Sequence, residues 1–487
     1  MKYIKYLLAL LLCSFALFQH LSDLPVRLWD ESRLAGNAFE MFKSGNYLVT
    51  TFWDTPDLWN TKPPLMIWLQ VISMHLVGIN ELALRLPSAV AGLFTCWVIF
   101  QFCNKHLKSY VLGLISVLVL VTCRGYISEH CTRSGDYDAL FTLFTTLCII
   151  NFYYYLRYSD NKFLYYTLIS FTFAALTKGI ASFLILPGLF ICSLYAGKTV
   201  QILKNKHFYW GFGIFILVIG GFYFFREMAS AGYIKACIEN DITGRFMKVS
   251  DEHKTNFWYY LNNFISYRLE YWLYVIPLSL ICLFWKEKTF KNSYIYLLIS
   301  SLCFFLVISI SKTRIIWYDA PIYPLFSLMI GLIIYKIYLM IYHWETHQLK
   351  NKWNIISAIF IMFVFAVPYY NTIKYNYLAK DWDLENYGMG MMWQKALKNE
   401  INLNGYYVCE NGYEPINKFY RQVYNDKGHH VENLPFDKLH PTEQIVFGHQ
   451  VILDYVKAHY NFRVIYQFEN VYFCIIDGEI NPEKANN

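Results

Sequence analysis

Ionisable residues gather at a few points of an otherwise apolar chain of 487 residues. Asp30 and Glu31 stand together in Trp29-Asp30-Glu31-Ser32-Arg33. A paired acid can bind a divalent ion or deprotonate an acceptor. It can also open a helix over 32–43, since acids are stabilised at a helix N-terminus. Lys62 leads into Pro63-Pro64. That rigid turn suits a cation positioned for phosphate; a lysine snorkelling from an interfacial helix is the alternative. Arg133, Asp136 and Asp138 crowd around Tyr137. A helix N-cap accounts for one of the two acids, most simply Asp136, and leaves Asp138 beside Arg133. Lys178 is a lone cation in Leu176-Thr177-Lys178-Gly179, either a ligand contact or a membrane-boundary residue. Arg245, Glu252 and His253 share one polar loop, and Lys312 and Arg314 precede Trp317-Tyr318. A lone loop histidine is ordinarily solvated, with metal ligation as the alternative. The aromatic neighbours, Phe257-Trp258-Tyr259-Tyr260 among them, fit an interface belt.

The elements that must position these residues are membrane helices. Hydrophobic residues make up 56% and charged residues 16%, against about 25% charged in soluble domains, and the mean hydropathy is +0.28. Apolar runs near 4–21, 86–104, 108–124, 138–156, 163–178, 180–197, 208–227, 269–285, 292–310, 317–341 and 353–370 predict about eleven spans. The first has a basic start but no small-residue cleavage site, so it is expected to stay as a span. With the N-terminus in the cytoplasm, five short loops are basic: Lys105/Lys108, Arg157/Lys162, Lys198/Lys204/Lys206, Lys286/Lys288/Lys291 and Lys350/Lys352. This is the positive-inside pattern. It also accounts for the net charge of +7 without nucleic acid as a partner. The opposite face then receives two long loops, 22–84 and 228–268, and the tail 371–487. Every ionisable residue singled out above falls on that outer face.

The chain therefore divides into a transmembrane domain, 1–370, and an extracytoplasmic tail, 371–487. The tail alternates polar and apolar residues around 406–409, 444–447 and 471–476, with a helical pattern over 451–459. A small α/β domain is expected. Cys409 and Cys474 each end a strand-like run; they can pair if their strands are neighbours, and two separate buried thiols are the alternative.

An acidic pair after the first span, Lys62-Pro63-Pro64-Leu65, Arg85-Leu86-Pro87-Ser88-Ala89, an Asp at the start of the fourth span, Leu176-Thr177-Lys178-Gly179 and a late Phe-Trp-Tyr-Tyr occur in one order. That order resembles the GT-C fold membrane glycosyltransferases, above all the bacterial lipid A aminoarabinose transferases and protein O-mannosyltransferases. The resemblance covers roughly 25–330. It implies Asp30 as the acid near the acceptor and any metal, with Glu31 its neighbour. It implies Lys62 at the donor's phosphate and Asp138, or Asp136, as the acid of the fourth span. Arg245 and His253 take the basic and histidine positions of the second long loop. A divalent ion on Asp30 and His253 is the one cofactor it admits. The group often has Glu before the Lys-Pro-Pro turn; here Thr61 stands there, which deprives a metal site of that carboxylate.

The chemistry of the residues leads the same way. No nucleotide-binding glycine loop is present, and an outer-face enzyme is expected to use a lipid-carried donor such as a polyprenyl-phosphate sugar. Its phosphate needs permanent cations: Lys62, Arg245, and Lys178 or Arg314. Stabilising the departing phosphate would carry much of the catalysis, an acid such as Asp30 would take the acceptor's proton, and in-line displacement would invert the sugar. The acceptor is a lipid such as lipid A, a protein or another envelope glycan, at the cytoplasmic (inner) membrane. A lipid-linked glycan flippase or transporter is the competing class, and it predicts inverted repeats and mid-membrane charges.

Overall fold

The computed structural model describes residues 2–128, 130–247, 255–284, 286–348, 354–375 and 381–480. Helices dominate. The first eight are α1 (Lys2–Phe18), α2 (Asp30–Ser44), α3 (Leu65–Val77), α4 (Glu81–Gln101), α5 (Tyr110–Val121), α6 (Asp138–Tyr158), α7 (Asn161–Lys178) and α8 (Leu186–Tyr195). A short α9 (Thr199–Leu203) precedes α10 (Lys206–Ala229), followed by three one-turn helices, α11 (Tyr233–Cys237), α12 (Tyr259–Asn263) and α13 (Val275–Ser279). Then come α14 (Lys288–Ile310), α15 (Tyr323–His347) and α16 (Ile355–Tyr375). A two-residue hairpin pairs β1 (Thr51–Phe52) with β2 (Thr55–Pro56).

The chain is a multi-pass membrane protein. Among the described residues seven helical stretches are long and apolar enough to cross a bilayer, and the shorter apolar helices Tyr6–Phe18, Leu65–Val77, Tyr110–Val121 and Val275–Phe284 accompany them. The two spans expected at 163–178 and 180–197 form one apolar stretch, Asn161–Tyr195. It is broken by a 3-10 turn, Gly179–Ile185. The break has a local cause: Gly179 adopts φ 55°, ψ −128°, a region closed to residues with a Cβ. Helix starts follow capping rules, with Ser109, Asp160 and Asn205 side chains accepting from the first-turn amides of α5, α7 and α10.

The chain forms two compact units. The first comprises Met1–Gln19, Asn46–Gln70 and Arg85–Asn376; the second comprises His20–Gly45, Val71–Leu84 and Tyr377–Asn487. The second unit thus joins α2, from the first long loop, to the tail. The tail holds α17 (Asp381–Leu397), β3 (Tyr406–Val408), α18 (Pro415–Asp426), β4 (Glu432–Asn433), β5 (Gln444–Phe447), α19 (Gln450–His459), β6 (Tyr460–Phe468) and β7 (Val471–Glu479). Its five-stranded sheet has the order β4-β3-β5-β7-β6. β3 runs parallel to β4 and β5, and β7 runs antiparallel to β5 and β6. Ile445, Phe447, Cys474 and Ile476 of the sheet meet Ile452, Leu453 and Val456 of α19 in one core. α18 packs on α2: Lys418 Nζ lies 3.0 Å from Glu40 Oε1, both side chains buried, and Tyr420 Oη accepts from Val26 N at 2.8 Å.

Cys409 and Cys474 are buried free thiols. Their pairing required neighbouring strands, but β5 stands between β3 and β7. Two strand spacings of about 4.8 Å exceed the reach of a disulfide.

Candidate active site

The first unit builds its site from two loops and the ends of two helices. Lys62 is held by the turn before it. Asp57 Oδ1 accepts from Trp59 N and Asn60 N at 2.9 and 3.0 Å, and Asn60 Nδ2 donates to Tyr137 Oη at 2.8 Å. Tyr233 Oη donates to the Thr61 carbonyl at 2.8 Å, and Arg226 lies 4.4 Å over the Tyr233 ring. Thr61 Oγ1 donates to Asp241 Oδ2 at 2.9 Å. With the chain fixed on both sides, the half-buried Lys62 ammonium lies 5.2 Å over the Tyr137 ring.

Asp138 is the first residue of α6 and Lys178 the last of α7. These helices are consecutive and packed together, so the start of one meets the end of the other. Lys178 Nζ bonds Asp138 Oδ1, both side chains being buried. Lys178 also lies 4.9 Å over the Tyr318 ring and 5.8 Å over that of Phe141. The other oxygen, Asp138 Oδ2, is buried without a hydrogen-bond partner among the described residues. An unpaired buried acceptor is costly, about 1–3 kcal/mol, unless a ligand supplies the donor. Gly179 lets this corner approach the Lys62 turn: a Cβ there would stand 3.2 Å from Tyr223 Oη and 3.6 Å from Pro63 Cδ.

These residues line one cavity of about 340 Å³. Lys62, Asp138, Lys178, Asp241, Ser311 and Tyr318 supply its polar side; Phe141, Ile180, Phe183, Leu184, Val307 and Ile308 supply an apolar wall. The arrangement can hold an anionic head group on its cations and an apolar chain along its wall.

Three residues expected from sequence, Lys62, Asp138 and Lys178, thus come together. Others are placed elsewhere. Asp136 does not line the cavity; Oδ1 accepts from Tyr137 N at 2.7 Å and Oδ2 pairs with His130 Nδ1 at 3.0 Å. Burial pushes Asp136 up, but the His130 bond and charge, with Lys178 nearby, outweigh it and hold the carboxyl below its usual range. His130 is stacked on Trp317, ring centroids 3.7 Å apart. Arg133 donates to the carbonyls of Leu17 and Gln19, clasping the end of α1. Arg314, expected at the donor's phosphate, is spent on backbone: Nε donates to Ser309 O at 2.9 Å and Nη1 to Thr255 O at 2.6 Å. It does not line the cavity. Arg245 belongs to the segment Ile238–Met247, with its side chain outside the described set, and Glu252 and His253 lie outside the described residues.

Asp30 and Glu31 open α2 in the second unit. The structure separates their duties. Glu31 is buried, and its Oε2 accepts from Arg27 N at 2.7 Å. It closes the turn before the helix. Asp30 is half-exposed in the same first turn.

Sequence reasoning missed Asp241 and Tyr318. Asp241 sits in the helical segment Ile238–Met247, which carries no recognisable motif. Tyr318 was legible only as half of an aromatic boundary pair.

The sequence profile of the dolichyl-phosphate-mannose-protein mannosyltransferase family matches residues 61–222. An undecaprenyl phosphate-alpha-4-amino-4-deoxy-L-arabinose arabinosyl transferase of Wigglesworthia glossinidia brevipalpis is 27% identical over 358 residues, covering 70% of this chain and 59% of that protein. An uncharacterised protein of Aquifex aeolicus (strain VF5) is 26% identical over 330 residues, 67% of this chain and 63% of its own. The chain thus spans less than two thirds of the length of these relatives. The crystal structure of ArnT from Cupriavidus metallidurans bound to undecaprenyl phosphate is similar with a TM-score of 0.68 at 13% identity, covering 98% of this chain and 97% of that one. The oligosaccharyltransferase of Archaeoglobus fulgidus in its apo form gives 0.51 at 10% identity, with 89% and 64% covered. The fold is GT-C, with a small sheet-containing domain at the C-terminus.

Proposed function

We propose that this chain is an inverting glycosyltransferase moving a sugar from a polyprenyl-phosphate carrier to a lipid or protein acceptor on the outer face of the cytoplasmic membrane. The observation that carries the reading is the cavity in which Lys62 and the Lys178–Asp138 pair face an apolar wall, with one carboxylate oxygen left open. The donor named for the arabinosyl transferase relatives, undecaprenyl phosphate-alpha-4-amino-4-deoxy-L-arabinose, is the first to try.

In this reading Lys62 takes the carrier's phosphate, and Lys178 and Tyr318 lie beside it. As the acceptor oxygen bonds to the anomeric carbon, the bond from that carbon to the phosphate oxygen breaks. The electron pair leaves with the phosphate, where Lys62 stabilises it in low dielectric. Asp138 Oδ2 accepts from a hydroxyl of the bound sugar. The acceptor's proton goes to a carboxylate, assigned to Asp30, since Glu31 is consumed by backbone. Arg245 is kept as a second phosphate contact. A divalent ion would be held by Asp30 and His253. Position 61, which would complete such a set with a carboxylate, holds a threonine that donates to Asp241, so no step is routed through an ion.

The test is a transfer assay on the purified chain with undecaprenyl-phosphate-linked aminoarabinose and lipid A. Release of undecaprenyl phosphate with glycosylated acceptor, abolished in Lys62→Ala, is expected. Movement of intact lipid-linked sugar across vesicles without cleavage would replace the enzyme with a flippase.

A further inference from the structure

The strand order of the tail brings charged groups to one spot. β3 connects through α18 to β4 on one side, whereas β5 connects through α19 to β6 on the other. β3 and β5 are parallel neighbours, so the chain leaves their C-terminal ends in opposite directions. Open α/β sheets bind ligands in the crevice at such a switch point. Glu410 follows β3 and His449 follows β5.

Glu410 is only 7% exposed, and its Oε1 has no hydrogen-bond partner among the described residues. Arg421 Nη1 stands 3.8 Å from it, beyond hydrogen-bonding reach. The second oxygen accepts from Asn433 Nδ2 at 3.0 Å. Glu414 is filled by contrast. It accepts from Asn411 N at 2.6 Å and Asn417 Nδ2 at 2.5 Å, and pairs with His449 Nε2 at 3.1 Å. The Glu414–His449 pair ties the loop after β3 to the loop after β5.

The loop after β3 also carries an aromatic surface. Tyr413 is 39% exposed, and its ring lies 5.5 Å from that of Trp29, which is 61% exposed. Arg33 Nη1 donates to Tyr413 Oη at 2.7 Å and holds the ring in place. Trp29 adopts φ 73°, ψ −110°, a conformation costly for an L side chain. The fold accepts that cost to present an indole face to solvent, one residue before Asp30.

We infer that this crevice and its aromatic pair bind the carbohydrate of the acceptor. The word acceptor rests on the glycosyl-transfer reading above; sugar binding as such does not. Sugar hydroxyls are the donors that Glu410 Oε1 lacks, and the apolar C–H face of a sugar ring lies well on the electron-rich face of an aromatic ring. A phosphate would meet the Glu410 carboxylate, and a divalent ion would find one open oxygen with the Arg421 cation beside it.

The test uses the full chain in nanodiscs at pH 8 without donor lipid, with methyl α-mannoside and chitobiose as probes, read by saturation-transfer NMR. Saturable binding of one of them at a Kd of about a millimolar is expected, weakened at least about tenfold in Glu410→Gln and in Tyr413→Ala, and unchanged in Lys62→Ala. Glu410→Gln keeps the shape and the Asn433 contact, so the test survives a misfolded Tyr413→Ala. No binding of either probe, or equal binding to wild type and Glu410→Gln, overturns the inference. Sugar binding in a chain that performs no transfer would sink the glycosyltransferase reading and leave the crevice standing. Transfer without sugar binding does the reverse.

Discussion

Arg268 with Asp319 and Lys178 with Asp138 are the same chemistry, a cation and a carboxylate buried in the first unit, finished in two ways. Asp319 has every oxygen occupied. Arg268 Nε and Nη2 reach its two oxygens at 3.1 and 2.5 Å, and Tyr323 Oη donates to Oδ2 at 2.7 Å. Gly125 N bonds the Arg268 carbonyl at 3.0 Å, and a Cβ at Gly125 would fall 2.0 Å from Tyr323 Oη. Nothing can be added there. Asp138 has one oxygen on Lys178 and one open, and both residues line a cavity. A saturated buried pair joins segments; a half-saturated pair on a cavity keeps an acceptor that a ligand could use. Burial and charge alone do not separate the two, whereas the count of satisfied lone pairs does.

The comparison breaks first at the phosphate cation. Lys62→Ala should abolish transfer while the protein stays folded and inserted, because the departing phosphate loses its charge partner. Full activity at ordinary donor concentration would remove Lys62 from the site. Asp138→Asn and Asp30→Asn come next. Each should cut turnover by about 10²–10⁴, with donor binding largely kept in Asp30→Asn and weakened in Asp138→Asn, whose carboxylate meets the donor's sugar. Glu31→Gln should be milder, since its role is the Arg27 amide. Near-normal turnover in Asp30→Asn beside a dead Asp138→Asn would move the proton acceptor to the start of α6.

The saturated pair should respond in stability instead. Asp319→Asn leaves Arg268 buried without its counter-charge, at a cost of about 3–5 kcal/mol. Thermal melting of the full chain in detergent checks this. The loss should exceed that of Asp138→Asn, because Lys178 keeps two aromatic faces and the solvent of the cavity. Equal losses would mean that the open oxygen of Asp138 marks nothing special.

What was readable in the sequence follows the same distinction. Lys62, Asp138 and Lys178 stand out because a charge at the end of an apolar run is expensive unless something uses it. Arg314 stands out equally, yet its guanidinium only ties backbone carbonyls, and no sequence pattern tells these fates apart. Arg268 and Asp319 were not singled out in the sequence; their pairing is long-range and invisible without the fold. In the tail, β3, β5 and β7 announced themselves through apolar residues that the sheet buries. β6 did not, being mostly exposed along its length, and the switch point depends on strand order, which local pattern does not encode. The Thr61–Asp241 bond was equally hidden, although Thr61 itself was the visible departure.

The smallest expected effect sharpens the comparison with a third pair, Glu410 and Arg421, the loosest at 3.8 Å. Burial pushes the Glu410 carboxyl up to about 7, with Arg421 opposing and Glu414 adding to the rise. A carboxyl whose pKa is raised on folding favours the protonated folded form. Its contribution is therefore complete below the ordinary Glu value near 4.5 and is lost as the pH climbs through about 7. The tail should lose about 1–3 kcal/mol of stability between pH 5 and pH 8, going by about 1.4 kcal/mol per pKa unit. Glu410→Gln keeps the neutral shape at every pH and should flatten that dependence, leaving the variant more stable than wild type at pH 8. Hydrogen-exchange protection of the β3 and β5 amides, corrected for intrinsic exchange at each pH, reads the difference in the intact chain. If the two proteins lose protection in parallel, Glu410 is satisfied by something other than a ligand, and the open oxygen at the crevice loses its meaning along with the pH effect.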